Sequence, residues 1–126
     1  MQPQLEIEIQ RVLAAANMDG FLPSAPSYCY SESDDNRVVV AAISEIRPAV
    51  RSEGVECINI ERGLSILEAI KAGAPLPPIV VNIPADLQPS FRYALYDGYH
   101  RLNLSRALGF SHIAVVVEPV FDFNSI

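Results

Sequence analysis

The segment spanning residues 91–109 predicts a strand, a tight turn and a helix, and it constrains the fold more than any other part of the chain. Its first part is rich in aromatic residues, which is typical of a β-strand. Asp97-Gly98 then predicts a turn, because glycine adopts a positive φ without a steric penalty. After the turn, Leu104 and Leu108 share one helical face, and Gly109 stands where a helix would end.

The first turn of this predicted helix carries His100 and Arg101. A helix N-terminus presents unpaired N–H groups and the positive end of the helix dipole, so it attracts anions. An arginine is electrostatically unfavourable at that end unless an anion lies beside it. The turn is therefore predicted to be a phosphate site.

Length and composition indicate one globular domain. The chain has 126 residues, of which 50% are hydrophobic and 19% are charged, which is enough to bury a core. It contains no apolar run of the roughly 18 residues that a membrane span needs, and its N-terminus lacks a signal-peptide pattern. Cys29 and Cys57 have no metal-ligand spacing, so two reduced thiols and a cytoplasmic location are expected.

The net charge of −6 is concentrated in the N-terminal part of the chain. Residues 1–36 carry six acidic residues and one arginine, whereas residues 37–126 carry nine acidic and eight basic ones. Electrostatic binding of duplex DNA needs a basic face, so this composition argues against it. A local basic pocket remains compatible with the sequence.

The remaining elements follow from hydrophobic periodicity. Residues 5–17 predict a helix, although residues 5–9 also alternate like a strand, and residues 21–37 predict a loop. Within that loop, Tyr28-Cys29-Tyr30 predicts a short edge strand or a loop anchored by aromatic side chains. Further along lie a strand at 38–46, a helix at 58–71 that ends at Gly73, a strand at 79–83, a loop at 84–90 and a strand at 112–118.

The resulting order, α-β-α-β-β-α-β, predicts an α+β domain in which helices pack on a mixed sheet. The successive segments "IRPAV", "PLPPIVVNI" and "ALYDGYHRLNLSRALGFSHIAVVV" resemble the ParB/sulfiredoxin superfamily. The resemblance covers residues 38–118. We therefore expect a ParB/sulfiredoxin-like domain over residues 38–126, preceded by a helix and an acidic loop at residues 1–37.

The resemblance implies a nucleoside triphosphate site, with ATP or CTP and Mg²⁺ as ligands. In this superfamily the phosphates are wrapped by a loop that is equivalent to Gly98, Tyr99, His100 and Arg101. Physical chemistry agrees with this role, because backbone N–H groups and a guanidinium are good donors to phosphate oxygens. Arg62 and Arg47 resemble two further family positions close to the nucleotide. Asp97 either closes the turn or has a chemical role, as a Mg²⁺ ligand or as a general base. His100 either packs on the sheet or acts on the ligand, by contacting phosphate or by carrying a proton.

Two departures from the superfamily limit the activity. Sulfiredoxins carry a nucleophilic cysteine where this chain has Tyr99, so sulfiredoxin activity is disfavoured; Tyr99 instead packs in the core or on a base. Partition ParB proteins carry a helix-turn-helix domain behind the loop, and these 126 residues contain none, so sequence-specific DNA binding is not expected. The loop Asp97 to Arg101 is most similar to the free amino-acid kinase branch.

Three functions stay open at this point. The first is an enzyme that hydrolyses the nucleotide or transfers its phosphoryl group to a small-molecule acceptor. The second is a regulatory module that binds the nucleotide without chemistry, and the third is a ParB-like nuclease. A kinase needs a carboxylate base for its acceptor hydroxyl, and the available candidates are Glu45 and Glu53. No membrane partner is expected.

Overall fold

The computed structural model describes residues 3–32, 37–49, 56–83 and 91–118. Within these residues the chain forms three helices and five strands, one strand more than the predicted order contains. Their bounds are α1 Pro3–Ala15, β1 Val38–Ala42, β2 Ile46–Arg47, α2 Ile60–Ala72, β3 Ile79–Asn82, β4 Tyr93–Asp97, α3 Tyr99–Leu108 and β5 His112–Val117. The α+β class is confirmed. None of the helices in these ranges is both long and apolar enough to span a bilayer.

The five strands form one mixed sheet in the order β1-β5-β3-β4-β2. β3 and β4 are antiparallel, as expected for a strand and its return, while β3 is parallel to β5 and β4 is parallel to β2. The central strands carry fully buried side chains such as Ile79, Val81 and Ile113. The core of the domain therefore lies along β3 and β5.

The prediction of one continuous strand over residues 38–46 is wrong. β1 ends at Ala42, a turn of 3₁₀ helix covers Ile43–Glu45, and β2 comprises only Ile46–Arg47. The reason is topological, since β1 and β2 lie at opposite edges of the sheet. The chain must leave one edge and cross to the other, so a single strand cannot include both segments.

The N-terminal helix belongs to the same core as the sheet. Apolar residues along one side of α1, including Ile9 and Val12, are buried in the same hydrophobic cluster as the strands. A Cβ on Gly63 of α2 would lie 3.0 Å from Cγ2 of Val12, so the absence of a side chain permits the close approach of α1 to α2. This contact explains a glycine that otherwise weakens a helix by about 1 kcal/mol relative to alanine.

The loop after α1 is anchored by an aromatic side chain and by one β-bridge. The Tyr28 hydroxyl donates to the carbonyl oxygen of Pro77 at 2.6 Å, and Tyr30 forms an isolated parallel bridge with Leu76. Of the two alternatives predicted for this segment, the loop anchored by aromatic side chains is observed, and the predicted edge strand is reduced to this one bridge. Cys29 is exposed and Cys57 is buried. The loop predicted at 84–90 lies outside the described residues.

Candidate functional site

The predicted phosphate loop lines a cavity of about 380 Å³. The cavity lies at the end of β4 and the start of α3, and α2 contributes one further basic residue. Its lining consists of Ala49, Arg62, Leu95, Tyr96, Asp97, Gly98, Tyr99, His100 and Arg101. The structure thus brings together six of the residues that sequence reasoning selected. Arg47, the seventh, lies on β2 opposite Ala94, two positions before the lining residue Ala49.

Gly98 makes the sharp passage from β4 into α3 possible. Its backbone is left-handed, with φ 113° and ψ 32°, and it occupies the N-cap position of α3 without a side-chain cap. A Cβ at this position would lie 2.5 Å from Cγ2 of Ile79 on the neighbouring strand β3. Two independent constraints, the positive φ and the close approach, therefore require glycine here. The turn predicted at Asp97-Gly98 is confirmed.

Arg101 is anchored to the segment that leads into β3. Its Nη1 atom donates to the carbonyl oxygens of Pro77 and Pro78, at 2.8 and 2.9 Å. Pro77 also accepts from the Tyr28 hydroxyl. Burial raises the pKa of Tyr28 to about 12, although the neighbouring Arg101 guanidinium acts in the opposite direction. Two backbone carbonyls thus supply negative partial charge to an arginine at a helix N-terminus, and they hold the guanidinium at the cavity wall.

His100 connects the phosphate loop to the start of α2. Its side chain is buried, and its Nε2 atom accepts a hydrogen bond from the backbone N–H of Asn59 at 2.9 Å. An imidazole nitrogen that accepts a hydrogen bond carries no proton, so Nε2 is unprotonated in this arrangement. The ring also meets the Tyr99 ring edge-on, with centroids 5.7 Å apart. The contact to Asn59 is a role that the sequence did not reveal; phosphate contact and proton transfer by His100 stay predictions.

The N-terminus of α2 carries Arg62 into the cavity. Asn59 is the N-cap of this helix, and its Oδ1 atom accepts from the backbone N–H of Arg62 at 2.9 Å. The Arg62 side chain is exposed. Because an exposed guanidinium at the cavity wall can reach an incoming anion, Arg62 is the most accessible positive charge of the lining.

A buried carboxylate on α1 holds the residues that precede α2. Glu8 accepts from the backbone N–H groups of Cys57 and Ile58 at 3.1 Å, and from the side-chain amide of Gln4 at 2.8 Å. Burial acts to raise the pKa of Glu8, but the hydrogen bonds from Ile58, Gln4 and Cys57 outweigh it and hold the pKa below the ordinary value of 4.5. Sequence reasoning missed this residue, since a glutamate on an amphipathic helix is usually solvated.

The two tyrosines of the loop have opposite environments. Tyr99 is buried in the hydrophobic core, which matches the first of its two predicted roles. Tyr96, which sequence reasoning did not select, is 69% exposed at the cavity. Tyr96 has no partner on β3, because the register of β3 and β4 shifts between Val80 and Val81 and leaves one extra residue on β4. Strand alternation along the sequence does not predict such an irregularity.

Among the described residues, Asp97 is the one carboxylate that lines the cavity, and it is exposed at the end of β4. The described ranges hold no group of three or more His, Cys, Asp or Glu side chains that could bind a metal by themselves. Mg²⁺ in nucleotide sites is often held by one or two carboxylates together with the substrate's phosphates, so a lone aspartate fits such an ion. Glu45 does not line the cavity, and Glu53 lies outside the described residues.

No family model and no curated protein matches this sequence. Among solved structures, a crystal form of a Pnob8-like ParB-N domain is similar, with a TM-score of 0.47 and 17% sequence identity. The alignment covers 71% of this chain and 31% of that one, so the chain spans less than a third of the structure it matches. The likeness concerns the fold alone.

Proposed function

We propose that the cavity at Asp97–Arg101 binds a nucleoside triphosphate, ATP or CTP, with Mg²⁺. The observation that carries this proposal is the convergence of the loop and of Arg62 on one cavity of about 380 Å³, although Arg62 is far from the loop in sequence. Two guanidinium groups and a helix N-terminus without a side-chain cap form a surface suited to phosphate oxygens. Asp97 would hold the ion, which neutralises phosphate charge when it is bound.

The two arginines have different parts in this proposal. Arg101 is held by the carbonyl oxygens of Pro77 and Pro78, so its guanidinium is pre-positioned and loses little freedom on binding. Arg62 is exposed and can move onto the phosphates. A preorganised donor improves affinity because less entropy is lost when the ligand arrives. Both residues contribute positive charge, but only Arg101 also anchors the fold.

Tyr96 supplies a platform for the base. Its ring is 69% exposed beside the cavity, and an exposed tyrosine next to a phosphate site offers a π-face to any nucleobase. The buried Tyr99 cannot do this. Stacking on Tyr96 tolerates different bases, so it favours nucleotides over inorganic phosphates without choosing between ATP and CTP.

Binding without chemistry is the second candidate, and the His100 contact favours it. The Nε2 atom of His100 already accepts from Asn59, and Asp97 is the one carboxylate among the described residues of the lining. Phosphoryl transfer needs a base within reach of the acceptor hydroxyl. If Asp97 binds Mg²⁺, the described part of the lining offers no second carboxylate for that role. Hydrolysis by water or transfer to a small molecule then depends on a group beyond the described lining or on one supplied with the acceptor.

The binding proposal is tested by calorimetric titration with ATP, CTP and GTP in the presence of Mg²⁺, followed by product analysis. We expect Arg62→Ala and Arg101→Ala each to weaken binding by about one to two orders of magnitude, the effect of losing a charge-assisted hydrogen bond. Arg11→Ala on α1, which is exposed away from this cavity, is the matched control and should bind normally. Unchanged affinity in both cavity variants would refute the assignment; labelled duplex DNA in the same buffer tests the nuclease alternative.

If Tyr96 stacks on the base, its removal should weaken the binding of nucleotides but not the binding of tripolyphosphate. We expect Tyr96→Ala to weaken ATP or CTP binding by roughly tenfold or more, as is typical when a stacking side chain is removed, and to leave tripolyphosphate binding unchanged. Tyr96→Phe keeps the ring and should bind nucleotide normally. An equal loss for nucleotide and tripolyphosphate would mean that Tyr96 shapes the phosphate site rather than stacking on the base.

A further inference from the structure

Three consecutive backbone N–H groups before α2 donate to side chains from other parts of the chain. Those of Cys57 and Ile58 donate to the carboxylate of Glu8 on α1. The next one, of Asn59, donates to Nε2 of His100 on α3. Residues 57–59 are thus held from two sides, by the N-terminal helix and by the phosphate loop.

These contacts fix the place at which α2 begins. Asn59 is the N-cap, and its side chain accepts from the backbone N–H of Arg62. A helix is rigid over one turn, so the position of the N-cap residue determines the position of the Arg62 Cα atom, from which the side chain extends. A displacement of residues 57–59 would therefore move the Arg62 guanidinium relative to Asp97–Arg101.

We propose that Glu8 is a positioning residue for the cavity, acting through residues 57–59 to place Arg62 opposite the phosphate loop. The proposal rests on the proposed function for the identity of the ligand. It gives the N-terminal helix, which lies outside the superfamily resemblance, a part in building the site. Glu8 does not line the cavity, so its effect on a ligand must pass through α2.

A carboxylate suits this position because the three groups described above all donate hydrogen bonds to it. Glu8 accepts from two backbone N–H groups and from the Gln4 amide, and an ionised carboxylate is an acceptor with about four lone-pair sites. A glutamine has nearly the same shape but one acceptor oxygen, and its own NH₂ group would face at least one of these donors. Glu8→Gln therefore disturbs the contact with little change of volume.

A purely structural role for Glu8 predicts lower stability but unchanged affinity in the folded protein. The positioning role predicts an affinity loss that depends on Arg62. We expect Glu8→Gln to weaken Mg²⁺–ATP binding by about threefold to tenfold, as for residues coupled through one hydrogen-bond network. In the Arg62→Ala background the same substitution should have no further effect. Glu6→Gln, an exposed neighbour on the same helix, is the control and should leave affinity unchanged.

Calorimetry on the four proteins of this double-mutant cycle separates the two proposals. If Arg62→Ala weakens binding while Glu8→Gln does not, the proposed function stands and the positioning role is overturned. If Glu8→Gln weakens binding equally with and without Arg62, Glu8 does not act through Arg62. Where Glu8→Gln does not fold, Glu8→Asp replaces it, since it keeps the charge and shortens the reach by one methylene.

Amide hydrogen exchange tests the contact without any ligand. We expect the amides of Cys57, Ile58 and Asn59 to exchange faster in Glu8→Gln than in Glu6→Gln, under conditions in which both proteins are folded. Unchanged exchange there overturns the proposal whatever the ligand result. If the unsubstituted protein binds neither Mg²⁺–ATP nor tripolyphosphate, the proposed function is wrong, and so is the coupling of Glu8 to a ligand. Faster exchange in Glu8→Gln would still show that Glu8 orders the start of α2.

Discussion

Helices α2 and α3 begin next to each other, but their N-termini are completed in different ways. At α2 the protein supplies the acceptors itself, with Asn59 as the cap and with Glu8 and His100 on the preceding N–H groups. At α3 the cap residue is Gly98, which has no side chain to offer, and the helix begins at the cavity wall. The start of α2 has a side-chain cap, whereas the start of α3 has none and lines the cavity.

The difference supports the proposal that an anion binds at the start of α3. The carboxylate of Glu8 near the start of α2 complements the helix dipole, Asn59 caps the backbone N–H of Arg62, and Glu8 and His100 accept from the N–H groups of residues 57–59 just before the helix. The start of α3 has no side-chain cap of its own. Two helix N-termini with similar dipoles thus differ in the groups that surround them.

The largest effect is expected from Gly98→Ala at the start of α3. A methyl group there would overlap Ile79 and also require a left-handed alanine. We expect a loss of roughly 2–5 kcal/mol in the free energy of unfolding, from overpacking and backbone strain together. Denaturant titration measures it. Gly73→Ala is the control, because Gly73 has φ +71° but nothing within 4 Å, so it should cost only about 1–2 kcal/mol. Equal losses would mean that the close approach to Ile79 is unimportant.

A smaller effect, with a defined pH dependence, is expected from Glu8→Gln near the start of α2. The hydrogen bonds that lower the pKa of Glu8 below 4.5 stabilise the folded protein above that pH, and the contribution is lost as the pH falls through the folded-state pKa. We expect Glu8→Gln to be about 1–3 kcal/mol less stable than the unsubstituted protein at pH 7, and the two to converge in acid.

Denaturant titrations of both proteins between neutral pH and about pH 3, where an ordinary glutamate is mostly protonated, measure the convergence. Glu6→Gln should show no comparable gap at neutral pH, since Glu6 is exposed. A stability gap between Glu8→Gln and the unsubstituted protein that stays constant across this range would show that the charge of Glu8 does not matter.

The smallest effect is expected from Asn59→Ala, which removes the side-chain cap of α2. Loss of such a cap costs about 1 kcal/mol, whereas glycine at the same position costs only a few tenths. Thermal unfolding of Asn59→Ala and Asn59→Gly measures both. If alanine were no worse than glycine, the bond from the Arg62 N–H to Asn59 would contribute nothing, and the contrast between the two helix starts would rest on Glu8 and His100 alone.

The parts of the site that are contiguous in sequence could be predicted. The strand, the Asp97-Gly98 turn and the helix that ends at Gly109 all follow from local rules, because turn chemistry and helix periodicity act over a few residues. The break of residues 38–46 into two strands could not be predicted in this way. It depends on strand order, which is a property of the whole sheet.

By itself, the sequence determined the α+β class, the order of the elements apart from the split of residues 38–46, and the strand, turn and helix that form the loop, since each depends on neighbours along the chain. Only the tertiary structure decided which side chains face that loop. It placed Arg62 and Tyr96 at the cavity. It also brought the Arg101 guanidinium within hydrogen-bonding distance of the carbonyl oxygens of Pro77 and Pro78, and the Glu8 carboxylate within hydrogen-bonding distance of the N–H groups of residues 57 and 58. The hydrogen bonds among these contacts join residues 23 to 50 positions apart, and they exist only because packing the helices and the sheet in one core brings distant donors and acceptors within hydrogen-bonding distance.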